Sequence, residues 1–158
     1  MKRSLFIKIL VLTLTLLVGS LAVTATERPF SLNGTGVAIP ILDGNGNVIS
    51  AEPTGSGNAT HLGMFTNIGH VDFTPDASNP TILHPSGGGV FTAANGDKLN
   101  FVIITGALDL TTGIGTGEFE FTGGTGRFAN ATGRTSGVIQ QNVVTGAYVL
   151  TLVGRIDY

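Results

Sequence analysis

The side chains of this chain best suited to chemistry are two neighbouring carboxylates, Glu118 and Glu120, and three imidazoles, His61, His70 and His84. Glu118 and Glu120 alternate with Phe119 and Phe121, so in a strand they share a face about 6.5 Å apart, a separation suited to acid and base cleavage of a glycosidic bond. The same alternation gives the opposite, buried face to the phenylalanines. Two charges in an apolar interior would each lose hydration worth several kcal/mol, so the carboxylates belong on the solvated side. The histidines fall within 24 residues, with Asp72 two positions after His70, a set from which a metal site could be drawn. They contain no His-x-His pair, and His61 has the opposite strand parity to His70 unless Asn67 to Gly69 forms a bulge. They read as surface or barrel-rim imidazoles, and no metal or cofactor is expected. Ser56, Ser78, Ser86 and Ser136 all lie outside a G-x-S-x-G elbow, which leaves a serine nucleophile without its usual frame.

Gly124-Thr125-Gly126-Arg127-Phe128-Ala129 matches the spacing of a dinucleotide-binding turn. Such a turn works by aiming the N-terminus of a following helix at a pyrophosphate, and here Gly133, Ser136 and Gly137 punctuate the next segment instead. The stretch from Gly123 to Gly133 therefore reads as a glycine-rich loop between two strands, with Phe128 packing inward as a plug.

These residues need elements to hold them, and the first step is to set aside the start of the chain. Met1-Lys2-Arg3 is a positive n-region, Ile9 to Val18 an apolar run shorter than the ~20 residues of a spanning helix, and Val23-Thr24-Ala25 a small-residue exit. Residues 1–25 read as a signal peptide, with a secreted or periplasmic product and no membrane contact after cleavage. Residues 26–158 read as a single domain. With Lys2, Arg3 and Lys8 removed, five scattered basic residues face ten acidic ones, a net charge of −5. Phosphate binding needs clustered Lys and Arg, so nucleic acid is excluded as a partner. With no cysteine, neither a disulfide framework nor a lipoprotein anchor can be built.

Turn chemistry cuts the remainder into short β segments. Asp43-Gly44-Asn45-Gly46 and Asn95-Gly96 are hairpin signals, because these residues tolerate the positive φ of tight turns. Further breaks are expected at Pro53 to Gly57, Pro75 to Pro80, Thr111 to Gly113 and Thr145-Gly146. Strands are predicted near 31–41, 57–66, 69–74, 84–94, 98–107, 115–122, 134–143 and 147–157, with no helix required. Leu99, Phe101 and Ile103 share one face, as do Phe119 and Phe121, and as do Tyr148, Leu150, Leu152 and Ile156. That pattern is an antiparallel sheet with one wet face. Val102 and Ile104 break it, so the 98–107 strand either lies under another element or meets a partner subunit. About eight such strands predict an all-β fold, an antiparallel closed β-barrel, since closure removes the exposed edges of an open sheet.

Gly123-Gly124-Thr125-Gly126-Arg127-Phe128-Ala129, followed by Ala131-Thr132-Gly133, resembles the G-G-T-G-x-F-x-x-A-x-G stretch of the dirigent and allene oxide cyclase barrel group. Ala59-Thr60-His61-Leu62-Gly63 and Phe91-Thr92-Ala93-Ala94-Asn95-Gly96-Asp97 are similar to segments of small secreted bacterial members of that superfamily. The resemblance implies an eight-stranded barrel of the lipocalin-like calycin kind with an apolar lumen, and a homo-oligomer, as in plant relatives. Its chemistry carries over poorly. Allene oxide cyclases use a cysteine among their lumen groups, which this chain lacks, and the Asp, Arg and Tyr groups with which dirigent proteins steer phenolic coupling are not matched to positions of this sequence.

The reading is therefore a barrel whose lumen, lined by Phe65, Phe91, Phe101, Phe119, Phe121, Tyr148 and Leu150, binds a small apolar ligand or is filled in a structural role. The alternative is an allene oxide cyclase-like or dirigent-like enzyme acting on a lipid or phenolic. An open lumen holding a buried Asp, Glu or His would favour the enzyme, and a filled one would remove both binding and catalysis.

Overall fold

The computed structural model describes residues 26–158; the expected signal peptide lies outside the described residues. Eight strands follow one another in chain order: β1 (Arg28–Leu42), β2 (Val48–Ala59), β3 (Gly63–Pro75), β4 (Ile82–Ala93), β5 (Lys98–Asp109), β6 (Ile114–Gly124), β7 (Thr132–Gln141) and β8 (Ala147–Asp157). Each pairs antiparallel with the next and β8 returns to β1, through pairs such as Leu32 with Leu152, so the sheet closes into a barrel with no free edge.

The partition differs from the expected one at β2 and β3. Pro53 to Gly57 is not a turn: Pro53, Gly55 and Gly57 all lie within β2, and the chain turns at Thr60 to Leu62. Pro53 is tolerated because the β2–β3 ladder pairs Ala51 with Val71 and Thr54 with Ile68 but leaves Pro53, which has no N–H to donate, unpaired. The true turn carries His61 at φ +67, a conformation for which His gives little sequence signal. Asn67 to Gly69 is likewise no break but the middle of β3. One short helix exists among the described residues, a single 3₁₀ turn at Gly126–Phe128 inside the β6–β7 loop.

Antiparallel order puts the β2–β3, β4–β5 and β6–β7 connections at the same end as the start of β1. That end is closed. Phe30, Leu32, Leu99, Phe121, Leu152 and Ile156 are buried there, and the Phe30 and Phe121 rings meet edge-on at 4.9 Å between centroids. Phe128 of the β6–β7 loop is 0% exposed and caps this core, its ring 5.1 Å from that of Tyr158. Backbone bonds fix the loop in place: the Thr125 N–H donates to the Lys98 carbonyl (2.9 Å), and the Gly123 N–H to that of Ala131 (2.8 Å). A Cβ at Gly124 would collide with the Lys98 carbonyl, so close approach to β5 demands glycine there.

From this core a column of rings climbs the interior. Phe65 and Phe91 meet at 5.2 Å, Phe91 and Phe101 stack at 4.6 Å, and Phe101 and Phe119 meet at 6.0 Å. Facing pairs of this kind contribute about 0.5 to 1.5 kcal/mol each beyond the area they bury. Val102 and Ile104 point outward from β5 and are 36% and 45% exposed, so no element among the described residues covers them.

Candidate functional site

Above the column the barrel is hollow. A cavity of about 120 Å³ occupies the half of the lumen nearer the β1–β2, β3–β4, β5–β6 and β7–β8 turns, and it is partly open to solvent at that end. Phe91, Phe101, Phe119 and Leu150 line it from the side of the closed core, and Ile103, Ile139, Val71 and Phe73 from the walls. The space arises because inward positions of the opposing strands carry small residues: Ala38, Ala51, Gly115, Gly117 and Gly137. A cavity of about 150 Å³ lined by apolar side chains holds a benzene-sized guest, so this one is large enough for roughly one ring.

Five of the seven residues expected to line a binding lumen, Phe91, Phe101, Phe119, Tyr148 and Leu150, lie on the cavity wall. Phe65 and Phe121 also point inward but are packed in the closed half, 4% and 2% exposed, and do not reach the cavity. Sequence reasoning missed Asn67. Its parity with Phe65, Val71 and Phe73 puts it on the inward face of β3, a signal lost by reading a break there.

Asn67 and Tyr148 form the polar feature at mid-barrel. Across the sheet Asn67 pairs with Gly55, Gly55 with Gly36, and Gly36 with Tyr148, so one row crosses β3, β2, β1 and β8. The two intervening positions are glycine, and the side chains from β3 and β8 meet over them. The Asn67 amide N–H donates to the Tyr148 hydroxyl at 3.2 Å. A Cβ at Gly55 would stand 2.8 Å from the Tyr148 hydroxyl oxygen and 2.9 Å from Asn67 Oδ1, closer than atoms can pack. Burial pushes the Tyr148 hydroxyl pKa above its ordinary value of 10, and the bond from Asn67 offsets part of that rise.

The groups that could do acid-base chemistry lie elsewhere. Glu118 and Glu120 project from the outer face of β6, and Glu120 accepts from the Arg134 guanidinium at 2.7 Å. His61 Nε2 reaches the Pro29 carbonyl at 2.9 Å at the closed end, and His70 pairs with Asp72 at 3.2 Å on the outer face of β3. His84, outside β4, touches Asp76 Oδ2 through Nε2 (3.1 Å) and the Gly106 carbonyl through Nδ1 (3.0 Å). Carboxylate and carbonyl only accept, so both contacts are hydrogen bonds only when the ring is an imidazolium. The Asp76 contact accordingly holds the His84 pKa above 6.5, with the Gly106 carbonyl adding to it, while the Ser78 hydroxyl and then His84 hold Asp76 well below the usual carboxylate range. No three metal-ligating side chains come together among the described residues. In the loop resembling a dinucleotide turn, Arg127 pairs with Asp97 at 3.6 Å and Phe128 points into the core, which makes the loop a lid on the closed end.

Fold and site together define a closed eight-stranded antiparallel barrel with an apolar, uncharged lumen, open at one end and sealed at the other. No family model matches the chain, and no curated protein matches it. Among solved structures it is similar to the pterocarpan synthase dirigent protein GePTS1, at 12% identity and a TM-score of 0.55, over 84% of this chain and 86% of that one. At that identity the likeness establishes a dirigent-like barrel fold and carries no activity with it.

Proposed function

We propose that this protein binds a small apolar molecule in the open half of its barrel. The observation that carries the reading is the lining itself: about 120 Å³ of space walled by aliphatic and aromatic side chains, with no carboxylate, imidazole, ammonium or guanidinium among the residues that line it. Filling such a space with an apolar guest removes apolar surface from water on both sides, at about 25 cal/mol per Å². A lumen filled for purely structural reasons would leave no such space.

Likeness of fold favours a second reading, a dirigent-like guide for coupling of a phenolic. Of the Asp, Arg and Tyr groups that reading would use, the cavity wall offers Tyr148. Export of residues 26–158 after cleavage at Ala25, and self-association through the exposed Val102 and Ile104, belong to the same proposal.

Native mass spectrometry of protein purified without detergent tests the binding reading. The expected result is a retained apolar adduct, lost when Ala51 on the cavity wall is enlarged by Ala51→Phe. An unliganded protein that also fails to take up added toluene would overturn it. Formation of a coupled product with stereochemical bias, when a phenolic and an external one-electron oxidant are supplied, would favour the second reading.

A further inference from the structure

The geometry points to a specific class of guest: a compact, uncharged molecule carrying one hydroxyl or carbonyl group, held at that group by Asn67 and Tyr148. This rests on the reading of the lumen as a binding site and adds what the site selects.

Asn67 is 9% exposed and lines the cavity. Its amide offers two N–H donors and an oxygen with two lone pairs. The Tyr148 hydroxyl takes one N–H at 3.2 Å and approaches Oδ1 only at 3.5 Å. A second donor and most of the acceptor capacity of a buried amide are therefore left for something inside the lumen, and buried polar groups are seldom left unmatched. The Tyr148 hydroxyl, held in place over Gly36 and Gly55, has the same double character of donor and acceptor. A hydroxyl or carbonyl on a guest complements the pair in either direction. Of the other polar residues at the wall, Gln141 pairs with Tyr148 and extends this row onto β7 with a second neutral amide, while Thr116 shares the outward parity of Glu118.

The same wall argues against an anion. The row is neutral and no cation lines the cavity, so a carboxylate would give up its hydration for hydrogen bonds from neutral amides and a phenol alone. Burial already acts on the neighbouring phenol in this sense, disfavouring its charged form.

Toluene, benzyl alcohol and benzoate share one ring and differ in a single substituent, and all are soluble enough to titrate against the protein by calorimetry or ligand-observed NMR at pH 7. In a lumen without a polar anchor toluene would bind tighter than benzyl alcohol, because the hydroxyl would lose its water for nothing. The expected result is that benzyl alcohol binds at least as tightly as toluene and at least tenfold tighter than benzoate. In Asn67→Leu/Tyr148→Phe, which replaces both partners by apolar groups of similar shape, benzyl alcohol should weaken by about tenfold while toluene holds or improves. Tyr148→Phe alone, a milder change, should weaken benzyl alcohol in the same direction. Toluene binding tighter than benzyl alcohol in the unaltered protein, benzoate matching the alcohol, or a double variant that leaves benzyl alcohol unchanged would each overturn the selectivity while leaving the binding site standing. Failure of toluene and benzyl alcohol alike would overturn both.

Discussion

Replacing Phe128 by alanine should be among the most damaging single changes in this protein, although the residue sits in a loop. The side chain is 0% exposed and its ring lies 5.1 Å from that of Tyr158, over a core that includes Phe30, Leu99, Phe121 and Ile156. Emptying a buried aromatic site costs about 3 to 5 kcal/mol, the transfer term plus the cavity left behind. The upper part of that range is expected, because hydrogen bonds from Thr125 to Lys98 and from Gly123 to Ala131 hold the loop backbone and limit its collapse into the space. For a domain of this size the loss corresponds to a fall of roughly 10 to 20 °C in Tm. Arg127→Ala is the internal control: its guanidinium is exposed and meets Asp97 only at 3.6 Å, so less than about 1 kcal/mol should be lost. Equilibrium urea unfolding of the three proteins, compared at constant m, gives both numbers. A Phe128→Ala loss below about 1 kcal/mol, or equal losses for the two variants, would refute the assignment of this loop as the seal of the barrel.

Other consequences can be checked with the same unfolding assay. Glu118→Gln should change stability by less than about 0.5 kcal/mol, whereas Phe119→Ala, half-buried on the cavity wall, should cost about 2 kcal/mol; equal effects would mean that the faces of β6 are reversed. Gly124→Ala and Gly55→Ala should each lose more than about 1 kcal/mol, since the added Cβ meets the Lys98 carbonyl in one case and the Tyr148 hydroxyl and Asn67 amide in the other; tolerance of both would contradict the close approaches. In an NMR titration His84 should bind its proton more tightly than a free imidazole. Its contribution to stability is present in full below pH 6.5 and fades as pH rises through the raised folded value, and Asp76→Asn should bring its midpoint back toward 6.5. Asp76 acts in the opposite sense, stabilising above its ordinary value of 3.8 and losing that contribution as acid protonates it.

Much of the barrel was legible in residues alone. Period-two alternation in Leu99-Phe101-Ile103, Phe119-Phe121 and Tyr148-Leu150-Leu152 identified the inward face, and Asp43 to Gly46 and Asn95-Gly96 marked turns that form. The errors in β2 and β3 have one cause. Pro53, Gly55 and Gly57 read as breakers because proline lacks a donor and glycine lacks a side chain, yet here the proline falls at a gap in the ladder and Gly55 makes room for Tyr148. Only the cross-strand register, which no local pattern encodes, shows that the missing side chains belong to a neighbour's space. The candidate site was hidden in the same way. Aromatic residues announced an apolar interior, but whether Phe121 fills the core or lines a cavity depends on which ends of the barrel the loops close. Asn67 was obscured because a polar residue two positions before a glycine looks like a turn.

The central claim, that the open half of the lumen receives a small apolar guest, is tested most directly by intermolecular NOEs between bound toluene and methyl groups of the isotope-labelled protein. Saturable NOEs to Ala38, Ala51, Ile103 and Ile139, with none to the outward-facing Ile39 and Val153, are the expected result. NOEs confined to the outer-face methyls, or none at saturating toluene, would contradict it.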